Sequence, residues 1–229
     1  MNRASIFKEV QNSLIGLKNI TDFEILEDQL IINLLVNGVK CKSEIRCQNF
    51  GKVYLMNLPV NMIKIDSLES EFESLLFDDL KKYYNNNFTL SVGSTSLNTN
   101  SAFTEYRIES EKDLNDYCTK LSNHINELNE FYFSKITHIN YLSQYVAKFD
   151  YENNLKVLVG GQFPIQTFKK IFLLKKGNQI ARYLEYKQGL RKQIESFSIR
   201  KPNRKDEAKM FKENYDYIIN ELDKEDTRI

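Results

Sequence analysis

Asp28, Glu44 and Arg46 are the acidic and basic side chains whose placement comes nearest to a metal-assisted hydrolytic set. A carboxylate precedes one apolar run, and an acid-x-base triplet lies on the next. Carboxylates so placed can hold a divalent metal while a neighbouring base assists attack. Arg46 cannot serve as that base, because a guanidinium stays protonated at neutral pH. The plainer reading is that Glu44 and Arg46 form the polar side of an alternating strand, beside Lys40 and Lys42. A second acid-x-base triplet, Glu185-Tyr186-Lys187, falls within a helical pattern, the wrong element for that chemistry. His124 and His138 are the only histidines. Neither has ligand-type neighbours at metal spacing beyond Glu127, so both are expected on helix surfaces or edges, outside any Ser/His or Cys/His pair. Cys41 and Cys47 sit on one strand face with their Cα atoms roughly 20 Å apart. That separation excludes a shared disulfide or zinc ion, and with Cys118 they read as small core residues. Gly160-Gly161 lacks the third glycine of a dinucleotide loop and the Lys-Ser/Thr of a nucleotide loop. No metal and no cofactor are expected.

The strongest functional signal is charge. Residues 169–212 hold fourteen Lys/Arg against four Asp/Glu, in a chain of net charge +1. Lys169, Lys170, Lys175, Lys176, Arg182, Lys187, Arg191, Lys192, Arg200, Lys201, Arg204 and Lys205 are therefore the candidate binding residues, facing an acidic protein partner. Phosphate contacts from the same segment are the alternative, with nucleic acid as the partner. Aromatics are interleaved (Phe168, Phe172, Tyr183, Tyr186, Phe197, Phe211, Tyr215), but their steps of three and four mark a core stripe rather than exposed base-stacking platforms.

These residues need elements to hold them. Ile6, Val10, Leu14 and Leu17 predict an opening helix. Phe23–Leu26 predicts a short strand, and Leu30–Val36, almost continuously apolar, a strand buried on both faces. Asn37-Gly38 supplies the two positive-φ positions of a tight hairpin turn into an alternating strand. Val53–Leu58 is a further strand stopped by Pro59. Asp66 or Ser67 caps one helix running to Tyr83 and ended by Asn85-Asn86-Asn87. Phe88–Val92 and Thr104–Ile108 are strands around a polar loop at Ser94–Ser101. From Ser110, which with Asp113 makes a capping-box pattern, the period turns helical: Leu114 to Tyr132, then Ile139 to Phe149. The stretch 153–161 fits strand or turn. Pro164 opens a helix closing at Gly177, and Asn178 caps the next. Pro202-Asn203 separates that one from a last helix bearing Phe211, Tyr215, Ile218 and Leu222, and the charged tail frays after it.

The order helix, strands, helix, strand over residues 2–96 resembles the core of restriction-endonuclease-like nucleases. That resemblance implies metal-binding roles for Asp28 and Glu44, with Arg46 where the family places lysine. Leu114 to about Ser196 carries Asn129-Glu130-Phe131-Tyr132-Phe133, a Gly-Gln-Phe-Pro break and Tyr183-Leu184-Glu185. It is similar to the C-terminal parts of small uncharacterised bacterial α+β domains, some encoded beside polymorphic-toxin or phage-defence genes. This second resemblance implies a cytoplasmic bacterial interaction protein of the immunity type and assigns no catalytic residue.

The reading is therefore an α+β protein. Residues 1–110 form a mainly antiparallel sheet with flanking helices (11 basic, 14 acidic side chains), and residues 111–229 a helical array (21 basic, 17 acidic), as two domains or one continuous one. Its expected function is non-enzymatic protein binding through the basic helical surface. No apolar stretch approaches the roughly 20 residues of a membrane span. Charges at Arg3, Lys8 and Glu9 break any secretory-signal pattern, and an odd cysteine count fits a reducing, cytoplasmic location.

Overall fold

The computed structural model describes residues 1–85, 87–93 and 105–224. The polar loop read at Ser94–Ser101, Thr104, Asn86 and the end of the tail lie outside the described residues. The chain is α+β, and it divides into two compact units whose segments alternate along the sequence. The first comprises residues 1–63 and 91–137, the second residues 64–90 and 138–229. A cut near residue 110 therefore differs from the spatial division. Helix α4 (Glu111–Glu127) belongs with the sheet, while the helical excursion after residue 64 belongs with the C-terminal helices.

In the first unit, α1 (Arg3–Leu14) starts on a capping box at Asn2 and buries Ile6, Phe7, Val10 and Leu14. The strands are β1 (Ile20–Ile25), β2 (Gln29–Val36), β3 (Val39–Phe50), β4 (Val53–Asn57), β5 (Val60–Lys64), β6 (Leu90–Gly93) and β7 (Glu105–Ile108). They form one sheet of order β1-β2-β3-β4-β7, with β5 pairing both β3 and β6. The long β3 changes partner midway: Val39–Arg46 pair antiparallel with β2, and Cys47–Phe50 with β4. The β2–β3 turn forms as its sequence requires, with Asn37 at φ 51° and Gly38 at φ 78° closing a Val36–Val39 pair. Cys41, Cys47 and Cys118 are free and buried. Burial pushes the Cys41 thiol up to about 12, so it packs as an apolar group.

One expectation for this unit fails, and one strand is additional to those read. Strand β2 is not buried on both faces: Leu30, Ile32, Leu34 and Val36 point inward, while Leu35 is 48% exposed. Strand β4 stops before Pro59 as read, but a further strand, β5, follows at Val60 and was not read from the sequence. Its inward positions are Asn61 and Ile63, and Asn61 accepts a 2.8 Å hydrogen bond from the Ser43 hydroxyl of β3. A polar pair in the core satisfies itself and erases the apolar alternation that would have marked the strand. Helix α4 begins on the capping box read at Ser110 and Asp113, packs against α1, and runs on through a π-helical turn at Leu128–Phe133 into α5 (Ser134–Ile136).

The second unit holds α2 (Asp66–Ser74), α3 (Asp78–Lys81), α6 (Ile139–Ala147), α7 (Ile165–Lys176), α8 (Ile180–Arg200) and α9 (Lys205–Lys224). The single helix read over 66–83 is two, broken at 75–77, and its first residues provide no side-chain cap. Asn178 does not cap α8. It takes the left-handed conformation at φ 56° that stops α7, and Gln179 precedes α8 instead. Residues 153–161 form no extended strand, only a 3-10 turn at Asn154–Lys156 and an isolated β-bridge at Leu158. Helix α7 packs against α6, α8 and α9 and is buried nearly all round, including Phe168, Phe172 and three of its four lysines. The stripes Tyr183-Tyr186-Leu190-Ile194 of α8 and Phe211-Tyr215-Ile218-Leu222 of α9 close the core.

Candidate functional site

The basic segment sorts into three physical classes. Lys169, Lys170 and Lys175 are buried on α7 and do not belong to any surface, which corrects their reading as docking residues. Lys176, Arg182, Lys187, Arg191 and Arg204 are held by Glu71, Glu185, Asp223, Glu195 and Glu207 respectively. Only Lys192, Arg200, Lys201 and Lys205 of the twelve are exposed with no carboxylate partner among the described residues. Lys192 and Arg200 lie on α8, and Lys201 and Lys205 continue over the turn into α9. Ile199, 80% exposed, stands at that turn.

The buried lysines are each satisfied. Lys169 Nζ donates to Glu69 Oε2 at 2.7 Å, with both side chains almost fully buried. It also reaches the carbonyls of Asn85 and Phe88 at 3.5 and 3.3 Å. The Tyr84 hydroxyl donates to the same carboxylate at 2.8 Å, and the ammonium lies 5.2 Å from the Tyr84 ring centroid. Burial lowers the Lys169 pKa and the Glu69 charge opposes that shift. Gly160 makes the arrangement possible. A Cβ there would stand 2.3 Å from the Asn85 carbonyl and 2.6 Å from that of Phe88, so no side chain fits. Lys170 donates to the Asn154 carbonyl and side chain, and burial brings its pKa down to about 8. The α7 sequence offers an amphipathic pattern, but the acceptors that bring its lysines inside lie far away along the chain.

The hydrolytic set does not assemble. Glu44 stands opposite Ile31, and its carboxylate accepts from Arg46 at 3.3 Å. The Asp28 carbonyl meets the Cys47 amide, which places Asp28 about three residues further along the strand pair. Among the described residues no three His, Cys, Asp or Glu side chains gather as a metal site would require. His138 is exposed as expected, but His124 is fully buried in α4. Desolvation drops its pKa to about 4, against a smaller opposing effect of Glu127. No family model, curated protein or solved structure matches this chain. The site must therefore be read from its own geometry.

That geometry includes a feature the sequence reading missed. Along α8, residues 185, 189, 193, 196 and 200 recur at steps of four, four, three and four and wall an open groove of about 830 Å³. The rest of the groove is lined by Tyr151, Asn154 and Leu155 from the segment before α7 and by Gln166 in the first turn of α7. Gly189 is the key position. Its missing side chain lets the Tyr151 ring lie against the helix, where a Cβ would come within 2.4 Å of the ring, and Tyr151 then donates its hydroxyl to Gln193. A lone glycine inside an otherwise helical pattern was the available signal. At an ordinary helix position Gly→Ala stabilises by about 1 kcal/mol. Gly189→Ala is expected to do the reverse, because overpacking of about 1–3 kcal/mol exceeds that gain. A thermal melt checks the sign: the variant's Tm should fall, and a rise would show that Tyr151 yields freely.

No helix of the described residues is long and apolar enough to cross a membrane.

Proposed function

We propose that this chain is a non-enzymatic protein-binding protein that docks an acidic partner through the exposed cations of the α8–α9 hairpin. One observation carries the reading: Lys192, Arg200, Lys201 and Lys205 are exposed, lack carboxylate partners among the described residues, and run from the middle of α8 over the following turn into α9, with exposed Ile199 among them. Uncompensated cations beside an apolar residue suit the rim and centre of a protein interface, where complementary charge steers association and the apolar contact holds it. The resemblance to immunity-type domains gives this reading a cytoplasmic defence setting. The docking set shifts accordingly, from the twelve residues read from sequence to these four.

Reversing Lys192, Arg200, Lys201 and Lys205 to Glu tests the proposal. The fold should survive. Glutamates at the end of α8 oppose its dipole by about 0.3–1 kcal/mol each, whereas one at the start of α9 is favoured. A partner captured from the native host and purified should bind wild-type protein at least tenfold more tightly than the variant in calorimetry. The reading fails if affinity is unchanged. It fails equally if wild-type protein binds duplex DNA at physiological salt with a log–log slope of several contacts, about 0.9 for each. Metal-dependent cleavage of nucleic acid, lost in Glu44→Ala, would replace it with the nuclease-like alternative.

A further inference from the structure

The groove along α8 has an uneven charge distribution that selects its occupant. From Glu185 to Arg200 the wall spans fifteen helical steps, about 22 Å. Lys192 at the middle of the wall and Arg200 at one end present cations with no carboxylate partner among the described residues. Arg200 is aimed along the wall by its 3.1 Å hydrogen bond to the Ser196 hydroxyl. At the other end lie Glu152 and Glu185, the latter already engaged by Arg182 and by the Tyr151 amide at 2.8 Å. The rest of the lining includes the uncharged amides of Gln166 and of Gln188 and Gln193, the latter two flanking Lys192 along the wall, and Leu155 stands 75% exposed at the edge.

We infer that this groove is a peptide-binding site for an extended segment of about seven residues carrying two carboxylates three or four positions apart. The inference rests on the protein-binding reading above and narrows it to one site. An extended chain advances about 3.3 Å per residue, so 22 Å accommodates about seven residues. Lys192 and Arg200 are eight helical steps apart, about 12 Å, which matches a separation of three or four residues in the ligand. Side-chain amides suit the unpaired N–H and C=O groups of an extended backbone, which donates and accepts in turn. A nucleic-acid strand fits worse. In duplex form it carries one negative charge per about 3.4 Å of each strand, so a groove of this length would set phosphates against two carboxylates as well as two cations.

The test uses the full chain and fluorescein-labelled heptapeptides of Ala and Ser with one Leu and two Glu. The Glu residues are separated by one to five positions, and a Gln-for-Glu peptide serves as control. Fluorescence anisotropy should show tightest binding at separations of three or four, at least tenfold over the control. Lys192→Glu/Arg200→Glu should invert the preference toward peptides bearing Lys in place of Glu, an outcome that a merely structural role would not produce. Lys8→Glu/Lys52→Glu, exposed, outside the groove and without a docking role, should leave the series unchanged. Binding insensitive to spacing, lost equally in both double variants, or absent across the series overturns the groove while leaving the broader reading to the purified-partner experiment. Tighter binding of oligo-dT than of every peptide overturns both.

Discussion

Lys169→Met should destabilise the protein by about 3–5 kcal/mol, the usual consequence of stranding one charge of a buried ion pair. The Glu69 carboxylate would keep only the Tyr84 hydroxyl among its partners described above, and the Asn85 and Phe88 carbonyls would lose a shared donor. Removing both charges should be far milder. Lys169→Met/Glu69→Leu is expected to recover most of the loss, because burying two apolar side chains avoids the desolvation of both ions. Urea unfolding followed by tyrosine fluorescence suits a chain with thirteen Tyr and no Trp. The double-mutant cycle gives the coupling directly. A single-variant loss below about 1 kcal/mol, or a double variant no better than the single, would show that the pair is hydrated in solution.

The second large effect is acid sensitivity of the sheet-containing unit. His124 is fully buried and its folded pKa is about 4, against an unfolded value near 6.5. As pH falls, the unfolded chain takes up the proton first and the folded state resists it. The stability held by neutral His124 is therefore complete above pH 6.5 and is lost progressively down to pH 4. At 1.36 kcal/mol per unit, the loss at pH 4 reaches about 3 kcal/mol. His124→Leu should remove that portion of the pH slope. Carboxylate titration remains in both proteins, so the difference between the two curves isolates the histidine. Parallel stability curves for wild type and variant from pH 7 to pH 4 would refute the assignment.

What could be read from the sequence was whatever is settled within a few residues. The Asn37-Gly38 turn and the Ser110–Asp113 capping box depend on local backbone chemistry, and both form. The stripes of α8 and α9 follow their own period. The failures come from complementarity across the chain. Strand β5 hides because Asn61 has its partner in Ser43, and α7 reads as a surface helix because its lysines find carboxylate and carbonyl partners on distant segments. His124 was closer to hand. It falls three residues from Leu121 and four from Leu128, on the buried stripe, and its polar character outweighed its position in the reading. The groove depends on how one face of α8 meets the segment around Tyr151, which no spacing within α8 reveals.

The interleaving of the two units has a consequence for how the protein is made. Glu69 and Lys169 are 100 residues apart, and a ribosome adding about 5–20 residues per second separates their appearance by roughly 5–20 s. For much of that interval α2 and α3 are made but lack the helices they pack against, and the strands on either side of them must find each other around an unfinished insertion. The nascent chain thus holds Phe72 and Leu80, both fully buried in the finished fold, in the open until α7 arrives. Premature termination anywhere before α7 would leave an apolar, carboxylate-bearing segment with no core to enter, a species that chaperones and proteases are equipped to recognise.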